Sequence, residues 1–399
     1  MIRFTRRQTL LGLAGVAAAG TLPLRGAFAA SPPLPSSPVS INIVDVAGNL
    51  ALTQKAFEAY AAANPKLVSN ITFNKATSPE LPGKLQAEEA AGRLDIDLVL
   101  SGTDALSAGI EQNLWVKLLP DHQDALPQLD SVLLDAANKM QALGQGYGVV
   151  VSYYPSGPLL EYMPDAVADA DVPKDAAGLL AWTKANPNQL IYARPANSGP
   201  GRTFIMGLPY LLGDSDPKDP VNGWAKTWAY LKELGKNIEY YPTGTGAVMK
   251  ELGEGTRSMT VTTTGWDINP RVLGTVPKEA KVAKLDGFHW VADAHYMLVP
   301  KGTSDDKLAV LLDLMKYMLT PAAQAYTYDE GYFYPGPAVK DVPLSMAPKE
   351  SQDAINQFGR PEYADWIANN PIETPLEPSA MVKAFDIWDK EVGGSQIQK

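Results

Sequence analysis

The residues best equipped for chemistry fall in a few short stretches. Asp45 with Asn49, and Ser101 with Thr103 and Asp104, each follow an apolar run and place carboxylate, amide or hydroxyl groups at its end. In Asn197-Ser-Gly-Pro-Gly-Arg-Thr203 a glycine-rich turn precedes an apolar segment. Its backbone N–H groups and positive helix end could cradle an anion, with Ser198, Arg202 and Thr203 as further donors. The same stretch reads equally well as a helix cap, and Pro200 removes one donor. Trp266 beside Asp267 joins an indole face to a carboxylate, which suits a cation or a sugar; a buried tryptophan next to a capping aspartate is the alternative. Asp293 and His295 lie two apart in an apolar run, with Tyr296 beside them, and on a strand residues at that spacing share a face. Tyr147, Tyr153 and Tyr154, with Tyr332 in Gly331-Tyr-Phe-Tyr-Pro335, offer apolar area plus a hydroxyl, for a pocket or for a core.

Several chemistries lack their parts. His122, His289 and His295 are the only histidines and there is no cysteine, so a zinc cluster is not expected and no thiol nucleophile exists. No Gly-x-Ser-x-Gly elbow or His-Glu-x-x-His pair occurs. A secreted hydrolase using two carboxylates, such as a glycosidase, stays open, because two acids approaching in space leave no mark in sequence. The acidic stretch Asp214 to Pro220 lacks the glycine and terminal glutamate of a calcium loop and reads as a solvated turn.

Strands alternating with helices must position these residues. VSINIVDV from Val39 to Val46 is β-branched and alternating, and a helix follows with Leu52, Ala56, Phe57 and Tyr60 on one face, stopped at Asn64-Pro65. Strand Ile71 to Asn74, helix Pro79 to Ala91 and strand Ile96 to Leu100 repeat the order. That order means a parallel sheet covered on both faces, with ligands expected at the edge formed by the strand C-termini. A second unit follows the strand Tyr147 to Tyr154: helix 175–185, strand 189–193, the Asn197 loop and its helix, helix 222–234, strand 238–241, helix 246–252 and strand 259–264. WVADAHYMLVP, Trp290 to Pro300, reads as a strand crossing back to the first unit, ahead of helix 304–319. Two crossings make a hinge over a cleft.

The chain carries 34 Lys and Arg against 44 Asp and Glu, net −10. Such an acidic chain does not suit nucleic acid or an anionic bilayer, which demand a basic face. The N-terminus sets Arg6 and Arg7 before a Leu/Gly/Ala run that ends at Ala27-Phe28-Ala29, a small-x-small cleavage site. It resembles a twin-arginine export signal, with Thr9 and Leu11 departing from the pattern, and an ordinary export signal with chance arginines is the alternative. The run is too short and glycine-diluted to span a membrane. Either route leads out of the cytoplasm. The roughly 370 residues left after cleavage exceed what one core holds, so two lobes are expected.

Over essentially its whole length the chain resembles an extracellular solute-binding protein of a bacterial ABC importer. The resemblance rests on the export signal, Phe57-Glu-Ala-Tyr60 with Asn64-Pro65, Leu94-Asp-Ile-Asp-Leu-Val-Leu-Ser-Gly-Thr103, the Trp290 to Gly302 segment and Thr320-Pro-Ala-Ala-Gln-Ala325. The nearest branch includes binding proteins for polyamines, thiamine, ferric iron and phosphonates. The resemblance implies an α/β fold of two lobes, each a mostly parallel sheet flanked by helices, joined by hinge crossings. It implies a signal peptide over 1–30, a proline-rich spacer over 31–38, lobe 1 from 39–150 and about 291–330, lobe 2 from 151–290, and a C-terminal helical cap over 331–399. Asp45, Asn49, Ser101, Thr103 and Asp104 carry over by position as first-lobe contacts, and the loop of Ser198 and Thr203 as one facing the cleft. A monomer in the periplasm without cofactor is expected, binding one small solute and handing it to a permease and its ATPase. The acids with Trp266 and the tyrosines lean toward a polyamine-like or thiamine-like solute; Arg194, Arg202 and Arg271 keep phosphonate open, and a carbohydrate or polyol is a third choice.

Overall fold

The computed structural model describes residues 31–397; the segment expected to be an export signal, with its cleavage site, lies outside the described residues. The first lobe runs β1 (Val39–Asp45), α1 (Leu50–Ala63), β2 (Val68–Lys75), α2 (Leu81–Ala90), β3 (Leu98–Ser101) and α3 (Thr103–Glu111), then α4 (Leu129–Val132) and α5 (Asp135–Leu143). β1 pairs in parallel with β2 and β3, and its C-terminal residues Ile43, Val44 and Asp45 form the continuous buried run expected of an interior parallel strand. α1 buries Leu52, Ala56, Phe57 and Tyr60. It stops before Pro65, which disfavours helical backbone in the residue ahead of it.

Two long strands carry the chain between the lobes. β4 (Gly148–Gly157) and β9 (Trp290–Leu298) pair antiparallel from Gly148 opposite Leu298 to Gly157 opposite Val291, and every residue of both is buried. β9 also lies antiparallel to β3 and parallel to the short β10 (Ile372–Glu373), completing a six-stranded sheet. From β4 the chain enters the second lobe as β5 (Leu159–Tyr162), followed by α6 (Ala176–Ala185), β6 (Leu190–Ile191), α7 (Gly199–Leu212), α8 (Ala225–Gly235), α9 (Thr245–Gly253), β7 (Met259–Thr262), α10 (Thr264–Val272) and β8 (Lys281–Ala283).

The second sheet, ordered β6-β7-β5-β8, departs from the expected parallel arrangement. Only β6 and β7 are parallel; β5 runs against both β7 and β8, because it enters straight from the hinge and not from a crossover helix. The segment expected as a strand at Ile238–Tyr241 contributes one bridge, with the Tyr241 N–H donating to Gln396 O at 2.8 Å, so the C-terminal tail takes that pairing. Each lobe has its own core. Ile43, Val99, Met297 and Leu311 belong to the first, and Leu160, Tyr192, Phe204 and Val261 to the second.

After α11 (Asp305–Met318) and α12 (Pro321–Gln324), the C-terminal residues do not gather into one unit. Tyr332 and Phe333 enter the cleft, α13 (Lys349–Phe358) and α14 (Glu362–Asn369) pack beside β9 and α10, and β10 joins the first sheet. The last helix, α15 (Pro378–Trp388), sets Met381, Ala384 and Trp388 in the second core, while the Ser107 hydroxyl of α3 meets Met381 Sδ at 3.7 Å. α15 therefore touches both lobes. No described helix is long and apolar enough to cross a membrane.

Candidate functional site

A cavity of about 160 Å³ lies between the lobes where strand ends and helix starts converge. It is bounded by the β1–α1 turn (Val46, Ala47), Gly102 and Asp104 at the start of α3, Tyr154 and His295 on the hinge strands, the N-termini of α7 and α9, Trp266, and the Tyr332–Phe333 loop.

Its base is an ion cluster. The Arg202 guanidinium reaches from α7 to Asp293 on β9 and, at 3.4 Å, to Oδ2 of Asp104 on α3, thereby bridging the lobes. Burial opposes the charge on Arg202, but the two carboxylates and Tyr154 hold its pKa above the ordinary arginine value. Asp293 is further held by Oδ1 accepting from the Ala294 N–H at 2.9 Å and the Thr103 hydroxyl at 3.3 Å, and by Oδ2 accepting from the Tyr154 hydroxyl at 3.5 Å. Two carboxylates thus share one guanidinium. Oδ1 of Asp104 is buried without a hydrogen-bond partner.

His295 is fixed from behind. Asn49 Oδ1 accepts from the Thr53 hydroxyl at 2.8 Å, which turns the Asn49 amide nitrogen toward His295 Nδ1, 2.8 Å away. The ring then carries its proton on Nε2. Burial, reinforced by Arg202, lowers its pKa well below the ordinary histidine value, so it is neutral at physiological pH.

On the second-lobe side Ser198 caps α7, accepting the Gly201 N–H at 3.1 Å, and its hydroxyl lies 2.8 Å from that of Thr245, the first residue of α9. That bond holds two helix N-termini side by side. An aromatic wall completes the cavity: Trp266 meets Tyr332 edge-on at 5.3 Å between centroids, and Phe333 lies 4.0 Å from Tyr154 and 3.8 Å from His295. The loop is anchored by the Thr264 hydroxyl, which donates to Tyr334 O at 2.7 Å, and it crowds Gly48, whose φ of +80° and contact with the Tyr332 hydroxyl leave no room for a side chain.

Of the candidate residues, Asp104, Tyr154, Ser198, Arg202, Trp266, His295 and Tyr332 line this cavity. Asn49, Thr103 and Asp293 stand directly behind it, orienting His295 and Arg202. The rest point elsewhere. Asp45 turns its carboxylate onto the N–H groups of Ala47, Asn49 and Leu50 at 2.8 to 3.0 Å, organising the start of α1. The Ser101 hydroxyl donates to Gly102 O at 2.9 Å and that of Thr203 to Pro200 O at 3.1 Å. Tyr153 is buried in the first lobe and Tyr147 packs against its core with Lys117 over its ring. Asp267, fully buried, accepts from Arg271, Arg360 and Tyr363, so the expected carboxylate beside Trp266 serves an internal ion cluster. Ala47, Gly102, Asn197, Gly199 and Thr245 also line the cavity, and nothing in their own residue types marks them for it. Thr245 follows the Tyr241–Pro242 segment as Asp104 follows β3, so the logic of strand ends reaches it as well.

Among the described residues no group of three or more His, Asp or Glu could hold a metal ion. The arrangement offers no nucleophile paired with a base. What it can do is enclose a small polar molecule between two bodies, with oxygen acceptors, helix ends and aromatic faces on its walls.

Residues 55–357 match the profile of a family described as bacterial extracellular solute-binding proteins. A search of curated proteins gave no significant match. Among solved structures, an ABC transporter protein from Clostridium perfringens is 14% identical with a TM-score of 0.62, the match covering 88% of this chain and 98% of that one. A spermidine/putrescine substrate-binding protein from Streptococcus pneumoniae is 12% identical, with a TM-score of 0.58 over 88% of this chain and 99% of the other. A periplasmic binding protein from Actinobacillus pleuropneumoniae, solved with fructose-6-phosphate, is 13% identical with a TM-score of 0.59, covering 88% and 98%. At these identities the likeness is one of fold.

Proposed function

The chain belongs to the bacterial extracellular solute-binding protein family, and from that premise we propose that it captures one small, positively charged organic solute in the interlobe cavity, by hinge closure, for an ABC permease and its ATPase at the inner membrane. It works in the periplasm, reached by the signal at its N-terminus, and as a monomer. The observation that carries the sign of the solute is the state of Arg202. Its charge is shared by Asp104 and Asp293, so the one guanidinium in the cavity is already neutralised, and the unpartnered oxygen of Asp104 calls for a donor. One neighbour is named as a spermidine/putrescine substrate-binding protein and another was solved with fructose-6-phosphate. The balance of charge here favours the amine over the phosphate or a phosphonate. The small volume argues against the two-ring thiamine skeleton. A polyol is the second reading, favoured by Trp266 and Tyr332 as stacking faces.

A thermal-shift screen over amines, sugars, phosphonates and vitamins tests this, since a ligand that binds only the folded state at 100 times its Kd adds about 2.7 kcal/mol of stability. The expected hits carry a protonated nitrogen, and small-angle scattering should show compaction when they bind. A screen in which only anions raise the melting temperature overturns the charge assignment; a tight ligand that leaves the radius of gyration unchanged overturns hinge closure.

A further inference from the structure

His295 brings to the cavity a hydrogen-bonding sense that is set from outside it. The residue lies on β9, is 1% exposed and forms part of the cavity wall. One edge of its ring is taken, because Nδ1 lies 2.8 Å from the Asn49 amide nitrogen. That amide is itself committed: its oxygen accepts from the Thr53 hydroxyl at 2.8 Å, and its nitrogen also reaches the Ser152 hydroxyl at 3.4 Å. Asn49, Thr53 and Ser152 are completely buried, so water does not compete for these contacts. An amide N–H aimed at Nδ1 needs the lone pair there and leaves the ring proton on Nε2. Asn49 stands behind the wall and not in it, so the edge away from Asn49 is the one the cavity meets. Phe333 packs against the ring with 3.8 Å between centroids, and none of the described residues accepts a hydrogen bond from Nε2. A buried N–H donor without an acceptor is costly, and here the missing acceptor can come only from what fills the cavity.

From this arrangement we infer that His295 is a specificity-determining donor, its Nε2–H selecting solutes that carry an uncharged oxygen acceptor, with Asn49 and Thr53 as the positioning residues that fix its sense. This rests on the cation reading above and adds to the amine a hydroxyl, ether or carbonyl oxygen. The acceptor is uncharged because burial and Arg202 keep the imidazole neutral, and Arg202, the one cation among the lining residues, is already shared by two carboxylates. The order of affinities follows from solvation. Replacing one CH₂ of an alkylamine by an ether oxygen keeps the length of the molecule and raises its cost of leaving water, so apolar walls alone favour the alkylamine. A buried donor that meets the oxygen reverses that order, because the alkylamine would leave it unpaired.

The test is calorimetric titration of the purified protein with pentylamine, 2-ethoxyethylamine and 3-methoxypropylamine, which share one length and differ in whether and where an oxygen stands. At least one ether should bind about tenfold or more tighter than pentylamine. Nitrogen-15 NMR of the ligand-free His122→Gln, His289→Gln chain, in which His295 is the only imidazole, should show the proton on Nε2. Asn49→Asp supplies a group that can only accept, so it should move the proton to Nδ1 in the same spectrum and cut the ether preference to about threefold or less. Pentylamine binding as tightly as both ethers overturns the donor inference and leaves the cation reading standing. A proton found on Nδ1 of the ligand-free chain means that the Asn49 amide is turned the other way, and it overturns the inference as well. So does an Asn49→Asp protein that has moved the proton and kept the ether preference. A series in which none of the three amines binds overturns the cation reading and this inference with it. The titrations run on the unaltered chain, so their outcome does not depend on any variant folding.

Discussion

Asp267→Asn separates a binding role from a structural one for a residue whose position beside Trp266 suggests the first. The carboxylate is completely buried and accepts five hydrogen bonds: from Arg271 Nε and a terminal nitrogen at 3.1 Å each, from Arg360 at 3.0 and 2.7 Å, and from the Tyr363 hydroxyl at 2.7 Å. An amide of the same shape keeps one acceptor oxygen but turns an NH₂ toward guanidinium donors and leaves two buried cations without their counter-charge. Removing one partner from a buried ion cluster costs about 3–5 kcal/mol. With a urea dependence of roughly 3 kcal/mol/M for a chain of this size, a loss of about 4 kcal/mol lowers the unfolding midpoint by roughly 1 M. Urea titration followed by tryptophan fluorescence reads that shift, and calorimetry on the folded variant should return an affinity within about twofold of the parent. An unchanged midpoint together with lost binding would refute this assignment and put Asp267 in contact with the solute.

Two further outcomes are expected. Glu161, on β5, is buried with both carboxyl oxygens unpartnered; burial first, then Asp267, raises its pKa well above the ordinary glutamate value. The folded state therefore keeps a proton that the unfolded chain loses above its own pKa of about 4.3, and stability falls with rising pH above that point by about 1.4 kcal/mol per pH unit until Glu161 itself ionises. Glu161→Gln should flatten this slope, and urea midpoints taken from pH 5 to 8 that fall as steeply as in the parent would contradict it. In α10, a methyl group at Gly265 would overlap the Tyr332 carbonyl oxygen, which is backbone and cannot turn aside. Gly265→Ala should displace the aromatic loop and weaken solute binding at least tenfold, a contact loss of about 1.4 kcal/mol or more; unchanged affinity by calorimetry would show that the loop does not shape the cavity.

Period and strand-end logic read most of the architecture from the chain, because alternation in Val39–Val46 and the 3.6 repeat around Leu52–Tyr60 are local properties. The same logic reaches Asp104, Ser198 and Trp266, which follow strands, and His295, which sits on the crossing. It cannot tell Asp267 from a cavity residue, since the partners that claim it, Arg360 and Tyr363, are more than 90 residues away and reach it only through tertiary packing of the C-terminal segment. Asp45 misleads for the opposite reason. Its partners at Ala47, Asn49 and Leu50 are so close that the residue satisfies itself. The mixed second sheet is hidden because the direction of β5 follows from where the hinge delivers it, and no propensity encodes that.

The paired strands β4 and β9 carry Tyr154, Asp293 and His295 on the very ribbon that joins the lobes. Points near a rotation axis travel least, so in an opened molecule these groups and the adjoining first-lobe residues would stay nearly in place while the starts of α7 and α9 swing away. Encounter and retention would then be governed by different residues. Changes on the ribbon and at Asp104 should act on how fast a solute is recognised, and changes at Ser198 or Thr245 on how long it stays before release to the membrane.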